Sequence, residues 1–537
     1  MHGLATSGGH SRLLAGLSPL LLVTPVPAAA VAEFFFAWRS SLRDLLRLFW
    51  RTVLNVFSMT QTLHSFLQTY RSHFRETLRL SGPVIIGQLG FTLMGVIDSV
   101  MIGDVSYVHL SASSLANGLF IILTIVGMGI TFALTPLVAE AEAAGRDRQV
   151  GIFLRQGTYV GLLASLLLGG LVYGSAEVLH WLDQPAQDIV LADSYLKILS
   201  LSVPSFLLFM VFKQFTDGLS RTRVAMYMTL IGLVINVGAN WVLIYGHFGL
   251  PRLELDGAGW GTLLSRVIMM LGMIGYVLWH RSFARFELRR HWGRFDQAVM
   301  KKILALGLPA GMQHFFEVAA FIGCTFLMGW MPEPSVNRAA HQIVLNLASI
   351  AFMVTLGFSM GATIRVGNAL GRRDFVNLRR AGLTGIMLAI GFMLCSAVVF
   401  IVGRHWLPTF FNDNPDVLAV SARLMVIAAF FQLFDGAQAV GVGILRGIHD
   451  VKLPTGITFL AYWVLCLPFG YLLGIAWEWG ADGVWYALAS SLMLSACLLT
   501  ARFWQLSTRM IQRGEVLPGL ETSEQPEPSP APVGVVE

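Results

Sequence analysis

The stretch ILALGLPAGMQHFFEVAAFIGCTFLMGW (303–330) contains one formal charge, Glu317, in 28 residues, and it follows directly on Lys301-Lys302. As an α-helix it would be about 42 Å long at ~1.5 Å per residue, enough to cross a hydrocarbon layer of about 30 Å. Pro309 and the glycines within it do not argue for a loop, because neighbouring helices re-satisfy freed backbone groups inside a bilayer. Runs of the same kind recur from Leu78 onward. We place membrane helices near 78–101, 112–139, 152–174, 189–212, 224–246 and 257–280, and again near 303–330, 339–366, 377–403, 417–442, 453–475 and 483–506. The chain as a whole is 55% hydrophobic and 13% charged, against roughly 25% charged for a soluble domain, so its apolar residues exceed what one soluble core can absorb. Helices, and not a barrel, are implied.

The net charge of +6 could suggest a nucleic-acid partner, but the basic residues are confined to alternate connections. Arg71, Arg75 and Arg79 precede the first helix, Arg146 and Arg148 follow the second, and Arg221 and Arg223 follow the fourth. The central connection holds Arg281, Arg285, Arg289, Arg290, Arg294, Lys301 and Lys302, and the last part of the chain repeats the pattern at Arg372, Arg373, Arg379, Arg380, Arg509 and Arg513. The positive-inside rule therefore places both ends and the central loop in the cytoplasm. No nucleic-acid partner is expected. Cys324, Cys395, Cys466 and Cys497 all lie in apolar runs, with no CxxC, which leaves no disulfide framework or zinc site to expect.

The two halves repeat. Pro83 matches Pro309 (309−83=226), Gly145 matches Gly371 (371−145=226), and Tyr245 and Asp256-Gly257 fall on Tyr471 and Asp482-Gly483 at the same shift. Six helices are thus duplicated to twelve, an all-α membrane protein of two six-helix lobes related by a pseudo-two-fold axis. Halves with an even number of helices share orientation, and substrate in such transporters sits between them near the midplane. Residues 59–280 read as the N-lobe, 281–302 as a cytoplasmic basic linker and 303–513 as the C-lobe. Residues 514–537, proline-rich and acidic, read as a disordered cytoplasmic tail. Residues 1–58 read as an N-terminal extension, with Met59 as the expected natural start.

Ionisable groups inside membrane helices cost about 2.5–3.5 kcal/mol each on insertion scales, so each is a functional candidate. Three carboxylates qualify: Asp98 in the first helix, Glu317 in the seventh and Asp435 in the tenth. The 226 shift pairs them with Cys324, Phe91 and Phe209, so the duplicated scaffold does not require them. Carboxylates on the seventh and tenth helices could form one site for a proton or a hard cation, and the sequence leaves both ions open. Asp98 stands near the end of its helix, where capping is the structural alternative. Gln88, Asn117, Asn236, Asn240, Gln313, His314, Asn346 and Gln432 are supporting polar groups, with hydrogen bonding between helices as their default role. Arg266 could pair with a carboxylate or snorkel. Basic residues at depth otherwise look almost absent.

GVIDSVMIG (95–103), LGLPAGMQHFFEV (306–318), AAHQIVLN (339–346), ATIRVGNALGRRD (362–374) and QLFDGAQAVGVGILRGIHD (432–450) together resemble the multidrug and toxic compound extrusion (MATE) family, in particular its bacterial NorM-type branch, from about Met59 to Gln512. The resemblance implies a monomeric multi-pass protein of the bacterial inner membrane, a transporter and not an enzyme, that exports organic cations and drugs in exchange for Na⁺ or H⁺. It carries the coupling-ion role to Glu317 and Asp435, which would hold Na⁺ if sodium is the ion, and an ion- or substrate-linked role to Asp98. Na⁺ or H⁺ would be the coupling ion, with no other cofactor. A lipid-linked-precursor flippase of the same superfamily is the main rival; it should line its cavity with basic residues. A major-facilitator carrier is disfavoured by AEAAGRDRQV (141–150), and a membrane enzyme or channel by the lack of a clustered nucleophile, metal triad or pore loop.

Overall fold

The computed structural model describes residues 60–179, 185–289 and 292–517, with side chains from Tyr70 onward. The expected extension at 1–58 and residues 518–537 of the expected tail lie outside the described residues. The chain divides into two units, Met1–Thr69 and Tyr70–Glu537. Of the first, residues 60–69 are described and are helical; the membrane helices belong to the second.

Among the described residues, eleven helices are long and apolar enough to span a bilayer, or twelve with a bent pair taken as one span. We number them α1 (Tyr70–Val105), α2 (Tyr107–Ala143), α3 (Asp147–Leu179), α4 (Gln187–Leu201 with Val203–Gly218), α5 (Thr222–Tyr245), α6 (Glu254–Trp279), α7 (Gln297–Gly329), α8 (Pro334–Gly371), α9 (Phe375–Gly403), α10 (Pro415–Gly447), α11 (Lys452–Ala476) and α12 (Gly480–Arg513). No strand occurs among the described residues. Side-chain caps start several helices: Ser106 Oγ accepts from the Val108 amide, Asp296 from Ala298 and Val299, and Asn414 from Asp416. Gly246 closes α5 at φ 76°, where a side chain would also meet the backbone of Leu250 and Arg252.

Proline shapes two helices in ways the apolar runs do not reveal. The fourth expected helix, 189–212, is instead two pieces bent by 42° at Ser202, and it runs on to Gly218. Pro204 cannot donate to the preceding turn and breaks the helix there. In α2 the turn at Phe132-Ala133 lies four residues ahead of Pro136, whose ring displaces the carbonyl at that position. The expected linker is also more ordered than a free loop: Phe283 and Phe286 of the short helix Arg281–Phe286 are buried in the N-lobe core.

The lobes meet through glycine, and the contact obeys the repeat. Ser81 and Ile85 of α1 press on Gly361 and Gly357 of α8; their counterparts at +226, Gly307 and Gly311 of α7, press on Ile130 and Val126 of α2. Gly129 and Gly311 stand backbone to backbone. Nearer the basic end, Gly367 and Gly371 of α8 close on Ala139 and Glu140 of α2. Towards the other end, Gly95 of α1 and Gly118 of α2 have nothing beside them within 4 Å. The glycine-mediated contacts of the lobes are therefore confined to the half that carries the basic connections.

Charged groups secure that end. Arg365 of α8 donates to the His73 carbonyl, Thr77 Oγ1 and Glu76 Oε2 of α1 at 2.8–2.9 Å. The counterpart of Glu76 is Lys302 of α7, which lies within electrostatic reach of Glu140 of α2. Two pseudo-symmetric seams thus carry acid–base contacts of opposite sense. The connections themselves interlock, with Arg285 2.7 Å from Glu142 and Asn368 3.2 Å from Ser220.

Candidate functional site

Glu317 lies on α7, buried at 8% exposure, and faces a cavity of about 280 Å³ between the lobes. Gln88, Phe91, Phe132, Gln313 and His314 share the lining near it. Tyr462 of α11 is fully buried, and its hydroxyl is 3.2 Å from Glu317 Oε1 and 2.9 Å from Gln438 Oε1 of α10. One hydroxyl proton can serve only one of those acceptors. A proton on Glu317, a rotated Gln438 amide or a bound cation would each complete the set. Asp435, also buried, lies within electrostatic reach of both Glu317 and Tyr462. His314 Nδ1 stands 3.6 Å from Glu317 Oε2, and Gln313 is held by Thr458 at 3.0 Å. Tyr462 sits in a π-helical turn, Leu460–Cys466, of a kind frequent at functional sites.

Asp98 belongs to a different place, inside the N-lobe. Asn240 of α5 donates to its Oδ1 at 2.5 Å, and Thr262 of α6 is 3.4 Å from Oδ2. Asn236, one turn before Asn240, lies beside the carboxylate and interacts with it. No carboxylate among the described residues lies within ion-pair distance of Arg266, although Asp98 is within its electrostatic reach. Arg266 donates to Ser202 Oγ at 2.6 Å and stacks on Phe120 and Phe206 at 4.9 and 5.0 Å. Asp98 is thus held between helices, not used as a cap.

The repeat ties the two carboxylate sites together. Phe91 and Phe209, the counterparts of Glu317 and Asp435, touch edge to face at 5.9 Å. Cys324 and Cys466, the counterparts of Asp98 and Asn240, bring their sulfurs to 3.9 Å. The Asp98 and Asn240 positions therefore touch in both lobes, while the Glu317 and Asp435 positions touch in the N-lobe and lie within electrostatic reach of each other in the C-lobe. The N-lobe has an aromatic pair where the C-lobe has acids, and an acid–amide pair where the C-lobe has thiols.

The structure brings together Glu317, Asp435 and Gln313, puts Gln88 on the same cavity, and leaves Asp98 and Asn236 apart in the N-lobe. Gln432 is not part of either site: its Oε1 accepts from Ser396 of α9 at 2.6 Å, so it faces away from Asp435. The expectation of almost no basic residue at depth is corrected as well. Lys213 and Arg446 both line the cavity, at 3% and 7% exposure. Lys213 is a lone lysine in the run FLLFMVFKQF (206–215), which the insertion-cost criterion should have flagged. Tyr462 was reachable too, as the counterpart of Asn236.

A bundle of duplicated membrane helices around a largely apolar cavity, with one buried carboxylate, Glu317, on its wall, defines a secondary-transporter architecture. The sequence model of the MatE family matches residues 83–242 and 309–472, one block in each repeat, and the chain belongs to this family of multidrug and toxic compound extrusion transporters. Among solved structures, the eukaryotic MATE transporter AtDTX14 is similar at a TM-score of 0.74, with 18% identity over 83% of this chain and 100% of that one. An outward-facing multidrug resistance MATE transporter of the MOP superfamily gives 0.73 at 18% identity, over 82% and 96%. A MOP superfamily transporter from Pyrococcus furiosus, described as having a binding pocket of reversed polarity, gives 0.72 at 18% identity, over 82% and 97%. These likenesses concern the fold.

Proposed function

We propose that this chain is a NorM-type antiporter of the bacterial inner membrane, working as a monomer, that exports organic cations and drugs in exchange for Na⁺ or H⁺. The observation that carries the reading is Glu317: a buried carboxylate on the wall of the central cavity, with Asp435 behind it and Tyr462 bridging to Gln438. A cationic substrate and a coupling cation compete for the same carboxylate, so each weakens the other's binding, and that differential couples the two fluxes. With the basic end in the cytoplasm, the lobes are closed inward and the cavity faces out. In this reading N-lobe 59–280 and C-lobe 303–513 rock about the glycine seams, joined by the cytoplasmic linker 281–302. Asp98 is an ion- or substrate-linked carboxylate in the other lobe.

The test is ethidium efflux from vesicles containing the purified protein, under an imposed Na⁺ gradient and, separately, an imposed pH gradient. Efflux driven by one of them, with no chemical turnover of the dye, is expected. Efflux indifferent to both would sink antiport. Tyr462→Phe removes the hydroxyl that bridges Glu317 and Gln438, and should raise the ion concentration for half-maximal efflux by about tenfold, the worth of one buried hydrogen bond. An unchanged ion dependence would show that Tyr462 is packing only.

A lipid-linked-precursor flippase is the second reading. Its main objection, the lack of deep basic residues, falls with Arg446 and Lys213 on the cavity wall.

A further inference from the structure

The end of the cavity nearest the basic connections carries polar groups that cation export does not use. Arg446 lies in the last turn of α10, 7% exposed, and its guanidinium stacks on Phe132 at 5.0 Å. Its Nε has no hydrogen-bond partner, and no carboxylate among the described residues pairs with it. Arginine cannot shed its proton there, so the charge stays. Gln214 of α4 is fully buried; its Oε1 accepts from Thr135 at 2.7 Å, while its Nε2 has no acceptor. Lys213, beside it, spends one ammonium proton on Asp217 at 2.9 Å. All three line the same cavity.

The structural alternative for Arg446 is to serve the last carbonyls of its helix, as cations at C-termini often do. It makes no hydrogen bond to them. The alternative for Lys213 holds in part, since its charge is met by Asp217. What remains is one uncompensated cation and an orphaned amide donor, both at a wall open to a ligand. A buried unpaired cation is costly, and an anion supplied by the ligand would offset that cost. None of the three is repeated: the shift of 226 places Ser220, Ala439 and Val440 at the corresponding positions. The scaffold does not need them.

We propose that the closed end of the cavity is an oxyanion subsite, in which Arg446, assisted by the Gln214 amide and Lys213, holds a carboxylate or phosphoryl group of the transported molecule. The subsite rests on the reading of this cavity as the substrate site, and it adds a polarity to it. Glu317 and His314 receive the basic part of a ligand and Arg446 the acidic part, so the favoured substrates are amphoteric molecules with an apolar body lying against Phe91 and Phe132. The same oxyanion chemistry belongs to a soluble carboxylate and to a lipid phosphate.

The experiment is equilibrium binding to the full-length protein in phosphatidylcholine nanodiscs. The probes are para-(dimethylaminomethyl)benzoate and its methyl ester, which differ only in the anionic group. A charge-assisted contact predicts that the acid binds roughly ten- to a hundredfold more tightly than the ester. Arg446→Gln should bring the two affinities together, and Gln214→Leu should narrow the gap. Displacement of the acid by benzoate but not by dioctanoyl phosphatidate identifies a soluble solute as the ligand, and the reverse order identifies a lipid headgroup. Equal affinities in the unmodified protein overturn the subsite without needing any variant to fold, as does a preference that Arg446→Gln leaves intact. Loss of ester binding in Glu317→Gln reports separately on the cation site. Binding of neither probe to the unmodified protein overturns both.

Discussion

Ion-driven ethidium efflux is expected to be lost in Glu317→Gln and in Asp435→Asn, with both variants still present in the membrane. Each replacement keeps the size of the side chain and its ability to accept a hydrogen bond, so packing around α7 and α10 has little reason to change. What is removed is the site's ability to carry a proton or to bind a cation by charge. Glu317 is the member that reaches the cavity, and Tyr462 touches its carboxylate. Asp435 is more deeply set and acts on the same pair of groups. Without Glu317, substrate loses its anionic contact, a charge-assisted interaction of about 1.5–3 kcal/mol, and the ion loses its competitor site. Without Asp435, exchange loses one of the two charges that distinguish ion-loaded from empty. The measurement is initial efflux rate per unit of protein in vesicles, with membrane abundance as the control. Normal efflux by both variants would remove the C-lobe carboxylates from the mechanism.

The contrast between these sites and the rest of the fold explains what the sequence could reveal. The twelve helices were legible because a bilayer imposes one length and one composition on each run, and the duplication left a constant offset. Carboxylates in those runs were legible for the same reason: nothing else excuses their cost. Partners were not. Asp98 and Glu317 are the same kind of residue on corresponding helices, α1 and α7, yet they lie seven residues out of phase under the shift, and only the packing separates their surroundings. Gln432 and Gln438 stand symmetrically about Asp435 in the sequence, three residues to each side. One bonds Ser396 of α9 and the other Tyr462 of α11, a choice set by the helices packed against each face. The bend at Ser202 and the turn at Phe132 are readable only locally, from Pro204 and Pro136, and Phe132 packs against both His314 and Arg446. The repeat proved the better instrument once contacts were known. Phe91–Phe209 and Cys324–Cys466 are real contacts, so each acid occupies a position that makes a contact in the opposite lobe.

Gly129→Val is expected to pry the lobes apart at the basic end. A Cβ at Gly129 would fall within contact distance of the Gly311 backbone, which cannot swing aside as a side chain would. Relief requires α2 and α7 to separate, and that movement must also strain the Gly367–Ala139 and Gly371–Glu140 contacts between α8 and α2 below it. Overpacking of this kind costs about 1–3 kcal/mol. Here the cost falls on one conformation of a protein with two, so the variant need not unfold; it shifts the balance toward the state in which the seam is open, by roughly five- to 150-fold. Ala139 reports on the change, because it is fully buried in the seam. With the four native cysteines replaced, Ala139→Cys should resist a membrane-impermeant maleimide applied from the basic side, and Gly129→Val should make it react. Ser81, which faces Gly361 across the pseudo-symmetric seam, supplies the matching test: enlarging Gly361 should have the same sense of effect. Unchanged labelling in both variants would mean that the glycine seams are not the surfaces that part during transport, and the lobes would have to move about some other contact.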